Sequence, residues 1–192
     1  MGSRGCVLQP EGKPRSWCRD RFFLTTDKTH LDAKVVNAVF DSDLMWWNDP
    51  LEMNQMRKML DNCLTLALFH VPDTAEEMKS NGGVPSSMTG PNCKMIGLAR
   101  IVTDYVTIAY LTDVFIMEEF QRRGLASWMM CALKELVDEW PNLRGLMLMT
   151  HDRAAARMYQ RTLGAVDFDK GPSAGLVVLE MGGRGQKDVP QH

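Results

Sequence analysis

The stretch from Tyr110 to Trp140 most narrows what this chain can fold into. β-Branched and aromatic residues dominate from Val106 to Ile116, which reads as a strand. Leu125, Trp128, Met129, Ala132, Leu133, Leu136, Val137 and Trp140 recur at helical spacing, and Pro141 stops the helix they define. Between strand and helix lies a tight basic turn, Gln121-Arg122-Arg123-Gly124-Leu125-Ala126. A helix start leaves backbone N–H groups without partners, and its dipole favours anions. Gly124, Ala126 and Ser127 are small enough to let an anion approach the backbone, and Arg122 and Arg123 add positive charge. The turn reads as a seat for a phosphate or pyrophosphate; the bland alternative is a basic strand–helix turn that binds nothing.

Two familiar phosphate motifs are absent. The dinucleotide fingerprint needs further glycines where this turn has only Gly124, and a Walker loop needs Gly-Lys-Ser/Thr. Gln121, Gly124 and Ala126 instead fill the pattern Gln/Arg-x-x-Gly-x-Gly/Ala, and a second block follows with Asp152, Ala155, Tyr159 and Gly164. The two blocks, in this order, resemble the acyl-CoA signature of the GNAT superfamily of N-acetyltransferases. The resemblance runs from about Phe22 to Met181.

It implies an α/β (α+β) fold, with a mixed central sheet of about seven strands flanked by about four helices. Acetyl-CoA is the implied co-substrate, with no metal. The cofactor-binding residues it implies are Val114, Phe115, Ile116, Gln121, Arg122, Arg123, Gly124, Leu125, Ala126, Ser127 and Asp152. In the resembled fold the central strand and its parallel neighbour splay apart. The pantetheine arm pairs with the exposed backbone at Val114, Phe115 and Ile116, a form of strand addition. Asp152 replaces the family's usual Asn; a carboxylate accepts but does not donate, so Asp152 either loses one cofactor bond or caps the next helix.

The resemblance also gives Tyr159 a role. Acetyl transfer releases a thiolate that needs a proton. A phenol, with a pKa of about 10 against about 8.5 for a thiol, stays protonated and can donate. The competing reading is a core tyrosine on an amphipathic helix. The base is open. Many members carry Glu-Asp where this chain has Thr112-Asp113, and Thr112 cannot serve. Asp113 is one candidate, although neighbours on a strand face opposite ways. His151 is a second, and a water relay a third. Trp46 and Trp47, with Thr112, are the expected acceptor-side residues. Their alternative is to anchor a loop to the core.

The expected activity is acetyl-CoA-dependent N-acetylation of a primary amine by direct attack in a ternary complex, with small amines ahead of peptide amino groups. The expected pocket lies between Trp46-Trp47, the Asp104 turn and the last hairpin. The rival expectation is a non-catalytic acyl-CoA-binding sensor or interaction module.

Composition sets the outer limits. At 192 residues and 45% apolar, one domain with its own core is expected. A net charge of −2 gives no bulk attraction to nucleic acid or anionic membrane. Cys6, Cys18, Cys63, Cys93 and Cys131 are an odd set without metal spacing, which points to a reducing, cytoplasmic setting. No apolar run reaches membrane-spanning length, and a monomer or homodimer is expected. Residues 1–20 read as a loose leader, 21–182 as a single domain and 183–192 as a tail. Within the domain, 72–93 reads as a polar loop insertion. Strands are expected at Phe22–Thr26, Leu64–Val71, Lys94–Thr103 and Leu143–His151, with a last hairpin from Val166–Phe168 and Leu176–Met181. Helices are expected around Leu31–Val39, capped by Asp27 or Thr29, from Asp49-Pro50 to Cys63, and from Arg153 to Leu163.

Overall fold

The computed structural model describes residues 13–181 and, beyond them, 183, 185 and 187. Six strands form one sheet in chain order: β1 (Ser16–Arg19), β2 (Phe22–Thr25), β3 (Leu64–His70), β4 (Lys94–Thr103), β5 (Ile108–Ile116) and β6 (Gly145–Leu148). Neighbours are antiparallel except β5 and β6, which are parallel. The helix α4 (Leu125–Asp138) supplies the crossover that a parallel pair requires. The mixed α/β architecture agrees with expectation, with six strands among the described residues rather than about seven.

Two core layers sandwich the sheet. On one face α4 and α5 (Arg153–Leu163) cover Leu64, Leu66, Leu68, Ile96, Ile101 and Leu111. On the other, α1 (Ala33–Phe40) and α2 (Met53–Asp61) pack on Phe23, Ala67, Phe69, Met95, Leu98 and Phe115. The period-2 alternation of β3 sends Leu66 and Leu68 one way and Ala67 and Phe69 the other, so this continuous apolar run is buried on both faces.

Several boundaries differ from expectation. Residues 16–19, placed in the leader, form β1 and pair residue for residue with β2. Residues 1–12 of that leader, and most of 183–192, lie outside the described residues. The insertion at 72–93 contains a short helix, α3 (Ala75–Ser80), started by a full capping box between Thr74 and Glu77 and pinned by the fully buried Met78. The cap of α1 is Asp32, which accepts from Lys34 and Val35 N–H, while Asp27 caps a short 3-10 turn at Lys28–His30. α2 starts at Met53 after Glu52, and Asp49 pairs with Lys187 at 2.7 Å instead of capping it. The last hairpin does not form. The Lys170 N–H donates to the Asp167 carbonyl and the two side chains pair, which curls the chain into turns, and Leu176–Leu179 and Met181 lie exposed.

The register between β4 and β5 slips by one residue. Leu98 pairs with Phe115, but Arg100 pairs with Thr112. Asp113 and Val114 therefore share the single partner position of Ala99, a β-bulge in β5, and Asp113 takes φ +46°.

Candidate active site

The turn at the start of α4 is built as a cradle. Gln121 Nε2 donates to the Ile116 carbonyl at 2.9 Å and ties the turn to the end of β5. Arg122 and Gly124 both have positive φ, +59° and +72°. Gly124 is the N-cap of α4 and brings no side chain to cap it, so among the described residues no side chain caps the first N–H groups of the helix. Leu125 is buried and locks the helix to the sheet, while Ala126 and Ser127 stay half-buried beside the cradle. Arg123 is tied back, donating to the Glu119 carbonyl at 3.0 Å and stacking on Phe120 at 5.3 Å. The Arg122 side chain is exposed.

Next to the cradle, β5 has a free edge. β6 pairs with β5 only from Ile108 to Leu111, ending at Leu148. From Thr112 to Ile116, β5 has β4 on one side and, among the described residues, no strand on the other. Val114, Phe115 and Ile116 lie along this edge. The Ile116 carbonyl is already taken by Gln121, and the Met117 N–H bonds back to Ile96 in β4, so by strand alternation Phe115 faces β4 and Val114 presents its backbone groups to the free edge.

Asp113 sits where the bulge turns its side chain into a buried cluster. Its Oδ2 accepts from Arg100 Nε at 2.6 Å and Nη2 at 2.5 Å. Its Oδ1 accepts from Asn48 Nδ2 at 3.0 Å, Thr112 Oγ1 at 3.4 Å and Trp47 Nε1 at 3.5 Å. Burial alone would weaken the charge on Arg100, but Asp113 and the Cys63 thiol more than offset it, so the guanidinium pKa lies above its ordinary value. Asp113 is thus in contact with two of the three residues expected on the acceptor side, Trp47 and Thr112, but its oxygens are all engaged.

Trp46, Trp47 and His151 come together. Trp46 stands edge-on to Trp47 at 5.8 Å and to His151 at 5.3 Å between ring centroids. His151 is exposed just beyond β6, and the two tryptophans are half-buried. Three elements distant in sequence therefore converge: the loop before α2, the bulge of β5 and the end of β6.

Tyr159 lies in the opposite core layer, under α4. Burial pushes its phenol up to about 12, with the Asp152 carboxylate adding to the rise. Asp152 itself is the N-cap of α5, accepting from Ala154 N–H at 2.7 Å. Of its two readings, that is the capping one. The free edge of β5 thus runs between a layer holding Tyr159 and a layer holding Trp47.

The Asp104 turn does not join this group. Its carboxylate accepts from the N–H groups of Val106, Thr107 and Ile108 and from the Thr107 hydroxyl, which holds its pKa well below the ordinary range. It lies at the start of β5, roughly 17 Å from Asp113 at the usual strand rise. A depression of about 320 Å³ between the Lys28–His30 turn, α1 and α2 contains none of these residues either. Three participants escaped the sequence reading: Asn48, Arg100 and Arg19. Arg19 Nη2 and Nη1 approach the carbonyls of Arg123 and Gly124 at 3.4 and 3.5 Å. Asn48, next to Trp47, carried a weak signal; the other two carried none, because their partners are distant in sequence.

Among the described residues, no cluster of His, Cys, Asp or Glu could hold a metal ion, and no helix is long and apolar enough to cross a membrane.

Comparison with known proteins bears on the same region. The model of the acetyltransferase (GNAT) family matches residues 57–165, more than half of the chain. A protein of Gibberella zeae, named as a candidate acetyltransferase, is 32% identical over 156 residues, covering 81% of this chain and 85% of its own. A GNAT-family candidate acetyltransferase from Xanthomonas campestris superposes with a TM-score of 0.59 at 22% identity, over 83% of this chain and 93% of that one. A GNAT-family acetyltransferase from Streptococcus pneumoniae does so at 0.51 and 14% identity, over 83% and 96%. At such identities the structures speak to the fold alone.

Proposed function

The chain belongs to the GNAT acetyltransferase family, and we propose that it transfers an acetyl group from acetyl-CoA to a primary amine by direct attack in a ternary complex. The observation that carries this reading is the continuity of the free β5 edge, Thr112–Ile116, with the Gly124 cradle. One accepts an extended amide-bearing arm by strand addition; the other accepts a diphosphate. Acetyl-CoA carries both, with the diphosphate joined directly to the amide-bearing arm.

The chemistry assigned to this chain's residues is modest. The amine nitrogen attacks the thioester carbonyl, the C–S bond breaks, and the sulfur leaves as thiolate. Tyr159 gives that sulfur a proton; its pKa near 12 keeps it protonated at neutral pH. The amine's proton passes to His151 or to water. Asp113 is assigned to holding Arg100, Asn48 and Trp47 in place rather than to taking that proton, because its oxygens are already engaged. The acceptor side is the Trp46–Trp47–His151 wall, whose ring faces suit the alkyl stem and cationic head of a small amine. Small amines come first and peptide amino groups second.

The engaged state of Asp113 also favours a second reading, a non-catalytic acyl-CoA-binding module. Acetyl-CoA turnover, followed as thiol release against a panel of amines, separates the two. Thiol release that rises with an amine supports the enzyme. CoA binding without any amine-dependent release supports the module, and no CoA binding removes both.

A further inference from the structure

β1 runs along α4 and grips it at alternate residues. Arg15 pairs with Glu139 at 2.8 Å, Trp17 Nε1 donates to Glu135 at 2.7 Å, and Arg19 reaches the Arg123 and Gly124 carbonyls. Residues 15, 17 and 19 point the same way because side chains alternate along an extended chain. Their partners climb α4 from its last turn to its N-terminus. The long Arg19 side chain spans the greater distance left between β1 and the start of α4.

That position has a consequence for the cradle's donors. A trans peptide unit points its C=O and N–H in opposite directions. The Arg123 carbonyl belongs to the same unit as the Gly124 N–H, and the Gly124 carbonyl to the same unit as the Leu125 N–H. Drawing the Arg123 carbonyl toward β1 aims the Gly124 N–H away from it, whereas the Leu125 N–H is directed by the helix itself, through the Gly124 carbonyl. The Gly124 carbonyl has a second partner, the Trp128 N–H at 3.0 Å. Asp20 Oδ2 lies 3.7 Å from Arg19 Nε.

We propose that Arg19 is a positioning residue for the diphosphate of the acetyl-CoA co-substrate: it orients the Gly124 N–H donor and adds a positive charge behind it. The inference rests on the acetyl-CoA reading above. It brings a strand from the N-terminal end of the chain into a site otherwise built from β5, the turn and α4.

The test is calorimetric titration of CoA into the wild type, Arg19→Ala and Arg19→Lys, with the Gly124 amide followed by ¹H–¹⁵N NMR. Arg19→Ala is expected to weaken CoA about tenfold, the scale of one lost charge-assisted hydrogen bond. Arg19→Lys is expected to recover part of that loss, since it restores the charge but not the two-pronged geometry. The CoA-induced shift of the Gly124 amide at saturation should shrink in Arg19→Ala while that of Val114 stays. Unchanged CoA affinity in Arg19→Ala overturns the inference. So does a loss in which Gly124 and Val114 shifts change alike, the mark of a general structural defect. Should Arg19→Ala not fold, the Arg19→Lys titration decides, with wild-type affinity and an unaltered Gly124 shift counting against the geometric role. A wild type that takes up no CoA removes the acetyl-CoA reading and this inference together, whereas CoA binding indifferent to Arg19 removes this one alone.

Discussion

Arg100 and Asp113 hold each other across the β4–β5 bulge, with Nε and Nη2 of the guanidinium 2.6 and 2.5 Å from the same carboxylate oxygen. The Arg100 side chain is only 15% exposed and that of Asp113 3%. Removing one member of such a pair leaves a buried charge alone. Asp113→Ala is expected to cost about 3–5 kcal/mol, readable in urea unfolding. An Asp113→Ala protein with wild-type stability and abolished turnover would put the proton-accepting role back on Asp113.

Tyr159→Phe removes the proposed proton donor without changing the shape of the core. Turnover should fall about 100-fold, the ordinary scale for a general acid. CoA affinity, read by calorimetry, should hold. Full turnover in this variant would take Tyr159 out of the chemistry.

The tyrosines also predict an alkaline signature. Burial pushes Tyr159 and Tyr105 up to about 12, helped by Asp152 and Cys63 respectively. Tyr110 is raised by burial and then by Asp113, with Arg100 opposing. A raised phenol pKa means the folded state binds that proton more tightly. The associated stability is intact below the unfolded value of about 10 and is lost as pH climbs through the folded values. Ultraviolet titration of the folded protein should show the tyrosines ionising later than in denaturant, and Tyr159→Phe should remove one of the late steps.

Gly124→Ala tests the cradle itself. With φ at +72°, a Cβ costs about 1–2 kcal/mol. Arg19 Nη1 would lie 3.6 Å from that Cβ, ordinary contact distance, so the backbone and not a clash sets the cost. CoA affinity should fall more than stability does. Equal CoA binding by Gly124→Ala and wild type would move the phosphate site elsewhere.

His151→Gln bears on the acceptor side. The substitution keeps a polar group beside Trp46 but removes the imidazole. It should lower kcat/KM for the amine roughly 100-fold if His151 takes the proton, and leave CoA affinity alone. An unchanged rate would leave water as the acceptor of that proton.

Much of the fold was legible in the sequence. The strand, basic turn and helix from Val106 to Trp140 appear nearly as read, with α4 running Leu125–Asp138. Asp152 and Gly164 bound α5 as N-cap and C-cap. α3 was also signalled, by Thr74 and Glu77 at capping-box spacing, but its few apolar residues hid it inside a polar stretch. Leu176–Met181 misled in the other direction: an apolar β-forming run is not a strand until another strand offers it an edge.

The order of residues along the chain was enough to settle the central elements, the Gly124 turn and the family, because periodicity, caps and positive-φ turns are decided among near neighbours. Folding alone decided who meets whom at the site. Trp47 reaches Asp113 across 66 residues, and Arg19 reaches Gly124 across 105. Those meetings depend on strand register, and one extra residue in β5 is what aims Asp113 at Arg100. No local pattern carries that information, because a bulge and a register exist only between two strands already paired.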